Sequence, residues 1–377
     1  MTRFGKMVDR TVQDLGREAV WNALQDANVS IKDLDIAYVA NAVGQQLTEL
    51  KGTIGQHVLT SSGIYEIPVI NVENACSSGS TALRGAYLDV ASGNSDIALA
   101  VGVEKLFVGD SAKSAQAMAS GTIYAKYGFM FVALYSMQLR KWMERSKATK
   151  EQFAKVVVKN SYNGSLNPNA QFRKPMTAEQ VLSSRLIAEP LTQFMCSTMA
   201  DGAAAAVVCS KERAKIFTAK PLVNIAACEL VSGTYNFSDV PHEEITTRAA
   251  KRAFEKAGIG PEDVDLVEVH DGMAPAELRL YEELGLCAEG EAGGMIDRDE
   301  TALSGRIPVN PSGGLAAKGH PISATGLAQV AEIVWQLRKE AGKRQIAKEN
   351  PKVGMTENAG GWVMDDNAAC AVTILKR

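Results

Sequence analysis

Apolar positions recur with helical spacing over Ala19–Ala27 and again over Ala249–Ala257. Each run gives way to a short acidic turn and then to a compact apolar strand, Ile36–Val39 and Leu266–Val269. The segments AVWNALQDANVSIKDLDIAYV and AAKRAFEKAGIGPEDVDLVEV align without a gap. Ala19/Ala249, Ala23/Ala253, Ala27/Ala257, Asp33/Asp263, Asp35/Asp265 and Val39/Val269 are identical pairs. An internal repeat of this kind predicts a duplicated unit. The pattern continues in both copies. Pro68–Val72 reads as a strand, followed by the turn ENACSSG, a helix from about Ser80 and a strand at Ile97–Val101. In the second copy the glycine-rich turn SGGLAAKGHPIS precedes a helix from about Ala324, and Cys370–Leu375 reads as a strand. Strands alternating with helices predict an α/β fold, here as two halves related by a pseudo-twofold.

The halves are expected at 1–240 and 241–377. The first carries an insertion over about 109–190, expected to lie as helices and loops on the first unit. The insertion gathers Met118, Tyr124, Tyr127, Phe129, Met130, Phe131, Tyr135, Met137, Trp142 and Met143. Such a cluster serves either as helix core or as an adaptable lining for a bulky apolar ligand.

Charge narrows the classes of partner. Forty basic and forty-three acidic residues give a net charge of -3, which argues against a nucleic acid partner. No strictly apolar run is longer than Ala203–Cys209, far too short to span a membrane. MTRFGKMVDR lacks the apolar stretch of a secretory leader, and a cytoplasmic location is expected. The six cysteines stand singly, without a C-x-x-C pair, so neither a common zinc signature nor a disulfide framework is expected.

Cys76 lies between a predicted strand and a predicted helix, in VENACSSGSTAL. A thiol at the positive end of a helix is expected to ionise readily. His270 follows the second-copy strand, in VEVHDG, where open α/β sheets bind ligands. His320 precedes the second-half helix, in KGHPISATG, near the symmetry mate of Cys76. The twofold would therefore bring a nucleophile and a base together. Asn358-Ala359-Gly360-Gly361 can aim backbone N–H groups at an oxyanion.

These motifs resemble those of thiolases. VENACSSGSTAL, VEVHDG and NPSGGLAAKGHPISATGLAQ carry the likeness, and the His-Asp pair of VEVHDG with the YEELGLC segment is similar to the sterol-carrier-protein type. GNSDIALAVGVEK, KNSYNGSLNPNAQ and LIAEPLTQFMCSTMADGAAAAVV extend the resemblance over nearly the whole chain. It implies a duplicated five-layer αβαβα thiolase fold with a loop-domain insertion. It implies cleavage of a 3-oxoacyl-CoA by CoA as co-substrate, or the reverse condensation, with no permanently bound cofactor and no metal. Carried over by motif, Cys76 is the nucleophile, His320 its base and His270 a support for the enolate. The N–H groups of Cys76 and of Gly360 or Gly361 form the oxyanion site.

Three places depart from the family pattern. Gly272 stands where a cysteine usually follows the His-Asp pair, and Asn358 where biosynthetic thiolases carry a second cysteine. That leaves Asp271, Glu357 or the incoming CoA thiol to move the enolate's proton. The strand that normally precedes G-x-T-x-F-G is expected to be missing, or the start of the chain to be assigned too late, with the chain opening Met1-Thr2-Arg3-Phe4-Gly5. Gly272 and the altered last turn are expected to enlarge the pocket, with Met118, Tyr124, Phe129 and Met130 lining it. A branched or aromatic 3-oxoacyl-CoA would then fit, benzoylsuccinyl-CoA being one candidate. Arg173 and Lys174 are a solvated basic pair or contacts for CoA phosphates. The resemblance also implies a homodimer, and a small partner with an OB fold and zinc ribbon. The alternatives are a ketoacyl-synthase-like condensation, a retro-aldol cleavage, or an inactive scaffold subunit.

Overall fold

Thr11 opens helix α1 (Val12–Ala27): its hydroxyl accepts the Asp14 N–H, and the Asp14 carboxylate accepts the Thr11 N–H. Asn28 ends it in the left-handed region, at φ 55°. A 3-10 turn, Ile31–Asp33, and strand β1 (Ile36–Ala40) follow. The second copy repeats this, with a helix at Ile245–Ala257, Gly258 at φ 64° and a 3-10 turn at Pro261–Asp263. The aspartates that coincide in sequence do the same work in both copies. Asp33 and Asp263 accept the N–H groups of Ser30 and Gly260. Asp35 accepts those of Asp96 and Ile97, and Asp265 those of Lys352 and Val353, so each clamps the entry to a strand.

The structure, a computed structural model, describes residues 1–50, 52–109, 114, 117, 130–234, 243–363 and 366–377. One sheet is ordered β2 (Val69–Val72), β1, β3 (Ile97–Glu104) and β6 (Gly202–Cys209). Its first three strands are parallel, and β6 runs antiparallel to β3. A hairpin of β4 (Leu186–Ala188) and β5 (Leu191–Thr192) stands apart. The other sheet is ordered β7 (Asn224–Ser232), β10 (Ala369–Lys376), β9 (Val353–Gly360) and β8 (Leu266–Glu268).

Two helices fill the space between the sheets: α2 (Ser78–Ser92) and, in the second half, Thr325–Arg338. Leu83, Leu327 and Ile333 share a core there with Ala98 and Ala100 of β3, Ala204 of β6 and Leu375 of β10. Each of those three large side chains is at most 1% exposed, worth about 2 kcal/mol of burial. Outside, Leu15 and Ala19 of α1 cover Leu99 and Val101, while Ala249 and Ala253 cover Val372 and Ile374. The layers are thus αβαβα. Sheets covered on both faces explain why β3 is buried along its whole length.

Glycine permits the closest approach. A Cβ on Gly79 or Gly102 would fall 2.5 or 2.3 Å from the Ser323 carbonyl oxygen. Their absence lets the turn before Thr325–Arg338 sit directly on β3 and the start of α2. The two inner helix N-termini meet there.

Two expectations change. Helices α3 (Phe131–Ser146) and Lys150–Leu166, within the insertion, bury Leu139, Trp142, Phe153 and Val157 with Val267, Leu278, Tyr281 and Met295. The insertion therefore packs on the second half, where those apolar side chains offer a complementary face. The first strand survives as a stub: Thr2 donates to the Ala203 carbonyl at 2.8 Å and Gly5 bridges Asp201. Beyond it Ala205–Cys209 line a cavity of about 510 Å³ with Tyr87 and Trp335, remote from the two meeting helix ends. Among the described residues no helix is long and apolar enough to cross a membrane.

Candidate active site

Strand β2 runs into a turn held by its own side chains. Glu73 accepts the Ala75 N–H, and the Ser78 hydroxyl accepts the Asn74 N–H while donating to the Ala75 carbonyl. Ala75 is forced to φ 48°, the left-handed region that alanine avoids. The next residue, Cys76, sits half-buried in a 3-10 turn, Ala75–Ser77, immediately before α2.

His320 comes from the other half. Its N–H donates to the Thr198 carbonyl at 2.8 Å, and the loop before it is anchored by a buried ion pair, Lys318 to Glu268 at 3.1 Å. Its Nε2 lies 3.3 Å from the Cys76 Sγ, and its Nδ1 lies 2.7 Å from the Thr325 Oγ1. Thr325 donates its own proton to the Pro321 carbonyl, 3.2 Å away. Its oxygen therefore accepts from Nδ1–H, which leaves the Nε2 lone pair facing the thiol.

His270 follows β8, its N–H donated to Glu357 at 2.9 Å. The two imidazoles stand edge to face with centroids 5.1 Å apart. His270 Nε2 is buried without a hydrogen-bond partner among the described residues. The sulfur and one nitrogen of each imidazole lie within 4.8 Å of one another, so the expected trio shares one place. This set could also ligate a metal ion, which would have to displace the proton shared by Sγ and Nε2.

The electrostatics reverse one expectation. Burial pushes the Cys76 thiol up to about 12, with the Glu104 carboxylate adding to it. The N–H groups of Gly361 and of Cys76 itself pull downward and are outweighed. The thiol is therefore not poised as a thiolate by the helix end. Burial, and then His270, hold the His320 imidazole well below its ordinary value, and burial takes His270 down to about 4. The resting pair is a neutral thiol against a neutral imidazole.

The other expected residues fall as follows. Gly361, at φ 70°, aims its N–H at the Cys76 sulfur. Gly360 serves by smallness, since a Cβ there would lie 2.7 Å from the Cys76 nitrogen. Asp271 accepts the Leu315 N–H at 2.8 Å and the Asn160 amide at 3.2 Å. Glu357, raised to about 7 by burial, contacts the Cys370 sulfur with its second oxygen. Asn358 accepts from Ser80 and faces α2. Met130 stands half exposed at the N-terminus of α3, and Arg173 and Lys174 are exposed. Met118, Tyr124 and Phe129 lie outside the described residues.

The space beside Gly272 is not vacant. A Cβ there would meet the Tyr135 hydroxyl at 2.6 Å and His270 Cε1 at 3.3 Å. The expected enlargement is thus filled by a phenol. Sequence reasoning missed Thr325, although it lies within the quoted HPISATG motif, and Glu104, which accepts the N–H groups of Ala42, Val43 and Ser323.

Comparison with known proteins agrees with this architecture. Residues 1–212 match the family model "Thiolase, N-terminal domain" and residues 234–377 match "Thiolase C-terminal domain-like". The chain is 42% identical to an acetyl-CoA acetyltransferase of Methanothermobacter thermautotrophicus, covering 96% of this chain and 94% of the relative. It is 38% identical to the benzoylsuccinyl-CoA thiolase subunit BbsB of Thauera aromatica, covering 96% and 92%. The solved structure titled "Ltp2-ChsH2(DUF35) aldolase" shares the fold, with a TM-score of 0.82 at 24% identity over 99% of this chain and 95% of that one. The chain belongs to the thiolase family and is an acyltransferase.

Proposed function

We propose that the protein cleaves a 3-oxoacyl-CoA with CoA through an acyl-Cys76 intermediate, the halves 1–240 and 241–377 supplying nucleophile and base. The observation that carries this is the 3.3 Å contact of the Cys76 sulfur with a His320 nitrogen whose tautomer Thr325 sets. Proton transfer and attack are concerted in this reading, because both groups rest neutral. His320 takes the thiol proton as sulfur attacks the 3-oxo carbon. The N–H groups of Cys76 and Gly361 meet the developing alkoxide, each such donor being worth about 3 kcal/mol. Rupture of C2–C3 leaves the acyl group on Cys76 and releases an enolate of the CoA thioester beside His270. CoA then takes the acyl group, and the imidazolium returns its proton to Cys76.

The filled space beside Gly272 supports a compact acyl group, as in acetoacetyl-CoA. A second reading, an aromatic substrate such as benzoylsuccinyl-CoA, is favoured by the similarity to BbsB. That relative is named as a subunit, and the fold neighbour's title includes DUF35, which supports a partner protein. Retention of Cys76 speaks for thiolysis over retro-aldol cleavage and over a silent scaffold. The test is intact mass after incubation with acetyl-CoA, then steady-state thiolysis of acetoacetyl-CoA and an aryl 3-oxoacyl-CoA. An acetyl adduct on the Cys76 peptide, and loss of adduct and turnover in a folded Cys76→Ala variant, are expected. Turnover by that variant at the unaltered rate ends the proposal.

A further inference from the structure

Thiolysis leaves a proton unaccounted for. The enolate released at C2 must be protonated, and His320 already holds the proton that returns to Cys76. The carboxyl groups near the site are engaged elsewhere, Asp271 with the Leu315 N–H and Asn160, Glu357 with the His270 N–H and Cys370, and Glu104 with the N–H groups of Ala42, Val43 and Ser323. Among the described residues, the Tyr135 hydroxyl is a polar group placed against Gly272, beside His270. It lies 2.6 Å from where a Gly272 Cβ would stand, and that point is 3.3 Å from His270 Cε1. Phenol and imidazole are therefore separated by no more than those two distances together. The Tyr135 ring also leans on Trp362, centroids 6.4 Å apart, next to the Gly361 amide. Among the described residues no hydrogen bond occupies the hydroxyl.

We infer that the Tyr135 hydroxyl is the acid–base group that moves the C2 proton, an inference resting on the thiolysis reading above. As C2–C3 breaks, its electron pair becomes the enolate, and the enolate's C2 takes the O–H proton to give the acyl-CoA product and a phenolate. In the second half-reaction the phenolate takes the S–H proton of incoming CoA as that sulfur attacks the acyl-Cys76 carbonyl. Tyrosine is thus restored, and no oxidant or co-reactant beyond CoA is needed. In the condensation direction the same phenolate removes the C2 proton. Burial, and after it the neighbouring Cys76, hold the phenol's pKa above its ordinary value. The group therefore keeps its proton between turnovers and is a strong base once it has lost it.

Acylation and C2 chemistry can be read separately. A CoA thiolate is a good leaving group, so acetyl transfer from acetyl-CoA to Cys76 still proceeds when the phenol's proton is not there to meet it. Incorporation of deuterium at C2 of acetyl-CoA in D2O instead needs a base, the phenolate left once the phenol has given its proton to the departing CoA. Tyr135→Phe is expected to keep the acetyl-Cys76 adduct while C2 exchange and thiolysis fall about 100-fold or more, the usual reach of a general acid–base group. Gly272→Ala places a methyl 2.6 Å from the hydroxyl, too close for it to keep its position, and is expected to depress exchange in the same direction, adduct retained. Exchange by Tyr135→Phe within threefold of the unaltered protein, roughly the noise of such a comparison, overturns the assignment. Loss of adduct and exchange together in both variants also overturns it, since the phenol would then only pack the site. An unaltered protein that forms no adduct instead refutes the thiolysis reading itself.

Discussion

The turns Asn74–Gly79 and Pro321–Gly326 are the same structure made twice. Each is a 3-10 turn, Ala75–Ser77 or Ile322–Ala324, running straight into an inner helix, and each helix has glycine at its second position. Cys76 and Ser323 are the middle residues. Their fates differ. Ser323 is fully buried, its hydroxyl donated to the Val103 carbonyl at 2.7 Å and its N–H to Glu104 at 3.3 Å. Cys76 is half-buried and its sulfur meets His320. The first helical residues diverge likewise. Ser78 closes its own turn on Asn74 and Ala75, whereas Thr325 accepts the His320 Nδ1–H. One copy presents a side chain and the other anchors one. The base comes from the anchored copy, where rigid packing holds an imidazole to one geometry.

Exchanging the roles should therefore break the site very unequally. His320→Asn removes the proton acceptor, and thiolysis should fall about 10²- to 10⁴-fold. Ser323→Ala removes one buried hydrogen bond and should cost about 1–2 kcal/mol of stability, with turnover nearly unchanged. Steady-state kinetics beside denaturant midpoints read both. Equal losses of activity would show that the second turn works in the chemistry and is more than an anchor.

The next effect concerns why the presenting copy needs a base at all. With the thiol pushed up to about 12, thiolate rises with pH throughout the accessible range. Alkylation of Cys76 by iodoacetamide, followed by peptide mass mapping, should climb about tenfold per pH unit from pH 7 to 9 without levelling. A plateau below pH 8 would restore the helix-end account that the sequence suggests.

That misjudgement marks where reading the sequence stops. The duplicated halves were legible because Asp33/Asp263 and Asp35/Asp265 recur at positions where each clamps backbone amides. The meeting of Cys76 with His320 followed from symmetry alone. Burial did not follow. Periodicity cannot say that Glu104, at the end of β3, lies close enough to oppose the helix end, since that proximity depends on Gly79 and Gly102 letting a distant turn close in. The Tyr135 hydroxyl was invisible for a similar reason. Gly272 reads as empty space unless the insertion is known to pack on the second half, which brings α3 against it.

The smallest effect tests the backbone that separates the two turns. Ala75 holds φ 48°, while Ile322, its counterpart, is not among the positive-φ residues. An L-residue in that region costs about 1–2 kcal/mol, and glycine escapes this at the expense of about 0.5–1 kcal/mol of unfolded-chain freedom. Ala75→Gly should therefore stabilise the fold slightly, by about 0.5–1 kcal/mol in the denaturant midpoint. The methyl it removes sits about where a Gly361 Cβ would touch it, so the loosened turn should also present sulfur less steadily and turnover should drop a few-fold. The matching change, Ile322→Gly, relieves no strain and empties a buried side chain, so it should only destabilise. If both glycine variants destabilise alike, the strained alanine is held by contacts stronger than its own conformational cost. The presentation of Cys76 would then owe more to packing against Gly361 than to the left-handed turn.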